Sequence, residues 1–470
     1  RHLPAVAALL LALAAVYAAW PRPGWQSSGR LPGDGTFALL AVVQGVLVAG
    51  LAVLGRRLHR STRVPRTALR GLGAAATAML AWALAGVLSG GVAQRVADWL
   101  DGGATPGTGE GPLSGPPTVL TWQAAVTPLL LVLVLALLTA HALRVWRVGS
   151  RIAERAHLPY PGAEPDAARS HSIGRTIAAA RLTDSAPRVL GISALATLLL
   201  GAAAVTGALL TGRTPGAAAD GAPPVLDGAA DAAQALGSWL MGFAFLLLLT
   251  LGRRAYRDAS TRRTVGILWD VGTFWPRAAH PFAPPCYAER AVPDLVWRMA
   301  TWARRYGGGR LVLSGHSQGS VLAAAAVWQL DPATRRQVAL LTYGSPLARL
   351  YGRWFPAYFG PGPLRALHRE LDCWRNLWRG TDPIGGPVRI RGGSEVDRGP
   401  LLDPLAYGRT DRHPLPAPVL GHGEYQADRA FAEERSALLA RLCPRGGRVP
   451  LPARPGCGVQ DSASEGRSSG

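Results

Sequence analysis

The sequence predicts a molecule in two parts: an α-helical transmembrane bundle of about six spans, then an α/β domain built on a mostly parallel sheet flanked by helices. Three observations carry this. Long apolar runs crowd the first half of the 470-residue chain and are missing from the second. Arginine clusters alternate with Gly/Pro/Ala-rich stretches between those runs. From Thr264 onward short β-prone segments alternate with helical periodicity, the pattern of βαβ units around a parallel sheet.

Residues 3–20, 36–55, 71–93, 118–143, 189–210 and 237–252 are each apolar and close to the ~20 residues a bilayer crossing needs. The first also has the look of a cleaved signal peptide, with small residues near Ala18; cleavage would leave the other five in place. The connections at 56–70, 144–155 and 253–263 are rich in arginine, while those at 21–35, 95–117 and 211–234 are not. By the positive-inside rule the basic connections are cytoplasmic, so everything from Arg253 onward is expected on the cytoplasmic side of a cell membrane. This divides the chain into a bundle (1–252), a basic juxtamembrane linker (253–263), an α/β domain (264–443) and a tail of disordered composition (444–470).

The net charge of +21 and pI near 11.2 come from arginine alone. Its placement at the ends of apolar runs points to membrane topology rather than nucleic-acid binding, and no nucleic-acid reading motif accompanies it. The centres of the spans lack Asp, Glu, Arg and Lys, which argues against an ion-coupled transporter. Glycine and alanine runs such as 71–78 predict close helix packing, with Gln44 and Gln123 as inter-helix hydrogen-bond partners. Within 144–188, SIGRTIAAARL reads as a helix, either lying on anionic lipid or acting as a solvated connector. Cys286, Cys373, Cys443 and Cys457 form no C-x-x-C pair, so no metal and no cofactor is expected.

In the second half, strands are expected at 265–269, 310–314, 338–343 and 374–378. Helices are expected at 287–305, with Val292, Leu295, Val296 and Met299 on one face, and at 319–330. The stretch RLVLSGHSQGSVLA joins a strand to a helix through G-x-S-x-G, with Ser317 at its centre. A sharp turn lifts a serine Oγ clear of the backbone, and Gly315 and Gly319 are expected where a Cβ would crowd strand and helix. With 57 glycines in the chain the motif alone says little, so its weight comes from the flanking elements and from acidic and histidine residues downstream.

GHSQG on this strand–turn–helix, a strand ending in YGSP, then RNLWRGTDP and GHGEY together resemble the α/β-hydrolase superfamily. The likeness is to its lipase and esterase branch, fused here to an actinobacterial-type multi-pass region. The resemblance implies Ser317 as nucleophile, Asp382 as acid after its strand and His422 as base, in the chain order Ser, Asp, His. Asp403, also followed by proline, and His413, in a proline-rich loop, compete for the last two roles. The oxyanion hole would use the N–H of Gln318 and a second N–H from 271–273, here Val271. His316 is expected to pack beneath the nucleophile. A lid position falls in PLARLYGRWFPAYFGPGPL, where Trp354, Phe355, Tyr358 and Phe359 either line an acyl pocket, dip into the inner leaflet or pack as core. The implied substrate is a lipid-derived or membrane-soluble ester. A non-catalytic scaffold, or a thioesterase or acyltransferase using the same triad, is the alternative.

Overall fold

The computed structural model describes residues 6, 8–13, 29–30, 33–62, 64, 67–100, 113–160, 166–262, 266, 286–305, 309–371, 373–390, 396–404 and 418–442. The first half is helical: α1 (Asp34–Thr62), α2 (Gly73–Leu100), α3 (Thr118–Ala153), α4 (Ala167–Ala180), α5 (Leu182–Thr211) and α6 (Pro224–Arg257). Among the described residues, five helical segments are long and apolar enough to cross a membrane, α4 running on into α5 in one of them. They coincide with the last five predicted spans. The first, residues 3–20, lies mostly outside the described residues, although 8–13 are helical.

Small residues bring these helices together, as expected where packing rather than water drives association. A Cβ at Gly86 would overlap the Gln123 amide, one at Gly90 the Met241 side chain, and one at Gly237 the Ala124 carbonyl. Large apolar side chains such as Leu39, Leu47, Leu135 and Leu199 point outward instead, each more than half exposed. That inside-out distribution suits a lipid solvent.

α3 has 36 residues, about 54 Å at helical rise, against ~30 Å of bilayer hydrocarbon. Its last turns, beyond Arg144, therefore stand clear of the apolar layer. α4 is capped by the Asp166 carboxylate, which accepts from the Arg169 N–H at 3.0 Å. It packs along this extension of α3, with Gly174 so close to the Gly149 carbonyl and Ala153 that no side chain fits there. The segment is thus the second arm of a helical hairpin with the end of α3.

The second half contains α7 (Tyr287–Arg305), β1 (Leu311–His316), α8 (Gln318–Trp328), β2 (Val338–Tyr343), α9 (Pro361–Glu370), β3 (Trp374–Arg379), β4 (Asp397–Leu401) and α10 (Arg429–Leu442). The four strands form one parallel sheet in the order β1-β2-β3-β4, with Leu311 opposite Val338, Leu340 opposite Trp374 and Asn376 opposite Asp397. Every residue of β2 is buried, as a strand covered on both faces requires. Val338, Leu340 and Trp374 face a core with Val292, Met299, Val321 and Leu367 from α7, α8 and α9. Ala339, Leu341, Tyr343 and Leu377 face α10 through Phe431 and Leu438. β4 was not expected from the sequence. The strand expected at 265–269 falls outside the described residues apart from Gly266, which is helical.

The sheet domain rests on the helix ends that carry the arginine clusters. Thr183 Oγ1 donates to the Pro383 carbonyl at 2.6 Å, and Arg169 Nη2 to the Pro404 carbonyl at 2.6 Å. Arg353 Nη2 pairs with Asp184 Oδ1 at 2.7 Å. The Trp354 ring covers Gly73 at the start of α2, so closely that a Cβ there would lie 3.0 Å from it.

Candidate active site

Ser317 sits between β1 and α8 with φ +53° and ψ −127°. A non-glycine residue held there stores about 1–3 kcal/mol of strain, so its surroundings must enforce it. The Ser317 N–H donates to the Tyr343 carbonyl at 3.1 Å, and the Ser320 N–H and Oγ both return to the Ser317 carbonyl, at 3.0 and 2.6 Å. Ser320 Oγ, its proton so used, accepts from the buried Ser345 hydroxyl at 2.7 Å. Gly315 makes the turn sterically feasible, because a Cβ would lie 2.5 Å from the Gly319 carbonyl oxygen and 2.7 Å from Ser320 Cα. Gly319 differs from expectation: a Cβ there meets only open space. The N–H groups of the first α8 turn, Gln318 included, have no carbonyl within their own helix to bond. Val271, expected as the second oxyanion donor, lies outside the described residues.

Asp382 follows β3 and is fully buried. Its two oxygens both lie 2.9 Å from His422 Nδ1. Oδ1 also accepts from the Ile384 and Gly385 N–H groups, at 2.8 and 2.7 Å, and Oδ2 from the Tyr425 hydroxyl at 2.8 Å. Burial pushes the carboxyl pKa up, but the His422 bond and charge and the two backbone donors outweigh it, leaving it below its ordinary value. A carboxylate so held stays ionised, and its place at Nδ1 favours the tautomer with the proton there, which leaves Nε2 as the nitrogen with the lone pair.

His422 reaches the end of the sheet at which Ser317 stands. Its ring centroid lies 4.7 Å from that of His316, the residue before Ser317. His316 Nε2 donates to the His422 carbonyl at 2.9 Å, while its ring stacks on Tyr343 at 5.3 Å. His316 therefore braces the His422 segment from the side instead of packing beneath the serine. Burial, with the His422 charge adding, lowers its pKa despite the His422 carbonyl and the Asp382 charge, so it is neutral at pH 7. Gly344 (φ +55°) leaves room for this, since a Cβ would press the His316 and Tyr425 rings at 3.1 Å. Ser317 Oγ and His422 make no direct hydrogen bond.

Three side chains that hold the site were not expected. Arg379, fully buried at the end of β3, donates to the Gly423 carbonyl at 2.5 Å and to Asp428 at 3.1 Å, and lies 4.3 Å over the Tyr425 ring. Tyr425 in turn accepts from the Arg379 N–H at 3.0 Å, and burial, the Asp382 charge and their hydrogen bond push its hydroxyl pKa far up. Together they fasten the loop that carries His422. Arg349 works from the other side: Nη1 donates to the carbonyls of Asp382 (2.8 Å) and Gly385 (3.0 Å), and Nη2 to Asp184 (3.0 Å) and the Ala180 carbonyl (2.6 Å). The available signal was a charged residue in the inward phase of a strand for Arg379; for Arg349 there was none.

The other candidates are placed elsewhere. The Asp403 carboxylate binds the Thr381 hydroxyl at 2.9 Å and the Leu420 N–H at 2.7 Å, and makes no contact with His422. His413 is outside the described residues. Phe359 is interior, packed edge-on to the buried Tyr351, and Phe355 is half-buried against the same core. Trp354 faces α2, and only Tyr358 is exposed. Among the described residues no group of His, Cys, Asp and Glu is arranged to hold a metal ion. Comparison with protein-family models, with curated proteins and with solved structures found nothing that matches this chain.

Proposed function

We propose that this chain is a membrane-embedded serine hydrolase of α/β-hydrolase type, cleaving a carboxylic ester of a lipid-derived or membrane-soluble substrate at the cytoplasmic face. The observation that carries the reading is the strained Ser317 elbow facing the same end of the sheet as a His422–Asp382 pair of correct polarity. In this scheme His422 Nε2 takes the Ser317 proton as Oγ bonds to the ester carbonyl carbon. The Gln318 N–H, on the first turn of α8, stabilises the oxyanion. Collapse breaks the bond to the leaving alcohol, which receives the proton from His422, and water then releases the acid by the same relay. Asp382 holds the imidazole and balances its charge. The cytoplasmic placement rests on the arginine-rich helix ends against which the domain docks.

A fluorophosphonate probe applied to the purified full-length protein tests this. Labelling that disappears in Ser317→Ala supports it, and equal labelling of that variant, or none in the folded wild type, refutes it. A panel of esters and thioesters of graded chain length then separates hydrolysis of an oxygen ester from thioesterase or acyl-transfer chemistry. The missing Ser317–His422 hydrogen bond favours a second reading, a non-catalytic scaffold with a degenerate site. Apo sites often tighten that bond only around substrate, so it ranks second.

A further inference from the structure

A cavity of about 480 Å³ lies where the α3–α4 hairpin meets the strand ends of the sheet domain. It is separate from the Ser317 elbow, and its walls divide by chemistry. Arg151 and Arg155, at and just beyond the end of α3, and Arg181, after α4, bring three guanidinium groups to it. None of the three has a hydrogen-bonding or ion-pairing partner for its side chain among the described residues, in contrast to Arg349, Arg353 and Arg379. Ile152, Ile173 and Ile177 make an apolar wall between them, continued by Leu401 and Leu402 from the sheet domain. The one carboxylate among the described lining residues, Asp403, is already held by Thr381 and the Leu420 N–H.

Its depth follows from helix geometry. Arg144 is the first charge after the apolar stretch of α3, and Arg151 lies about 10 Å further along the axis. That puts the Arg151 backbone at the outer edge of the headgroup region, about 5–8 Å deep per leaflet, from which a long arginine side chain reaches back into it. Three guanidiniums with no partner among the described residues, beside an apolar wall at this level, match an anionic headgroup with its attached chain.

We propose that this cavity binds an anionic phospholipid of the adjoining leaflet, with its phosphate on Arg151, Arg155 and Arg181 and the start of an acyl chain along Ile152, Ile173 and Ile177. The lipid would wedge between bundle and domain, touching Thr381 next to Asp382. The proposal rests on the cavity alone and stands whether or not Ser317 is a nucleophile.

The test uses the full-length chain, delipidated in detergent, re-equilibrated with phosphatidylglycerol or phosphatidylcholine and examined by native mass spectrometry for retained lipid. Each arginine near a lipid surface contributes about a fivefold preference for anionic lipid. Retention of phosphatidylglycerol should therefore exceed that of phosphatidylcholine by at least about tenfold, and should fall to parity in Arg151→Gln/Arg155→Gln/Arg181→Gln. The triple lysine variant should keep the preference. Arg151→Glu, at an exposed position without side-chain partners among the described residues, should by itself cut retention about fivefold or more without disturbing the fold. Equal retention of the two lipids by the wild type, or full retention by Arg151→Glu, overturns the proposal. So does displacement of the lipid by millimolar glycerol phosphate as effective as that by short-chain phosphatidylglycerol, which would make the cavity a free-phosphate site.

Discussion

Ser317 and His422 stand at the same end of the sheet, and on the proposed mechanism they act as one unit. Replacing either by Ala is expected to lower turnover of a short nitrophenyl ester by on the order of 10⁴-fold or more, and replacing both should cost little beyond that. Asp382→Asn should be nearly as severe, since the amide keeps the shape but favours the wrong imidazole tautomer. Asp403→Asn should leave kcat close to wild type, because that carboxylate ties Thr381 to the Leu420 backbone and never meets His422. Asp382 also makes a pH prediction. Its carboxyl is held below the ordinary value in the folded state, so the unfolded chain takes up that proton more readily. Its contribution to stability is present above the usual carboxylate range of about pH 4 and is lost as pH falls through the lowered folded value. Unfolding temperature measured from pH 6 down to 3 should therefore drop more steeply for the wild type than for Asp382→Asn.

At the scale of elements, the β1–Ser317–α8 elbow depends on backbone clearance at one glycine. Gly315→Ala is expected to destabilise the domain by about 1–3 kcal/mol and to abolish labelling of Ser317, because β1 cannot otherwise lie against the first turn of α8. Gly319→Ala should be tolerated on both counts. Sequence periodicity located α7, α8, β1, β2 and β3 to within about two residues, since each is a continuous apolar or amphipathic stretch bounded by turn residues. It missed β4, whose Asp-Arg-Gly-Pro-Leu has no β-prone pattern. That strand forms because Asp397 is drawn in by Asn376 Nδ2 (2.8 Å) and the Val388 and Arg389 N–H groups (2.8 and 2.7 Å). Ser317, Asp382 and His422 were legible because motif, strand end and flanking glycines mark them locally. Arg349 and Arg379 were not, because their partners lie 165 and 44–49 residues away in the chain and no local pattern encodes such pairings.

At the scale of the whole molecule, the expected topology is read by a fusion placed after residue 443: a reporter active only outside the cell should stay silent there, and a strong signal would reverse the bundle. The same scale exposes what the bundle contributes. Arg349→Gln removes two bonds to the segment that carries Asp382 and the bonds to Asp184 and Ala180. It should lower kcat about tenfold or more, at the usual worth of charge-assisted hydrogen bonds, with KM little changed. Asp184→Asn leaves the bonds within the sheet domain and should cost less.

One guanidinium thus spans both halves of the chain, and this bears on how freely those halves can be exchanged. An anchor serves any cargo when the two meet only through a linker. Here the arginine that holds the Asp382 carbonyl is itself paired with Asp184, a carboxylate of the helical half. A chimera in which an unrelated single-span helix replaces residues 1–252 would deliver Ser317, Asp382 and His422 intact to the membrane. It would still lack Asp184 and the Ala180 carbonyl while keeping the Arg349 bonds to Asp382 and Gly385, and its turnover should fall between that of Asp184→Asn and that of Arg349→Gln. The two parts would have to be transplanted, or to diverge, as a pair.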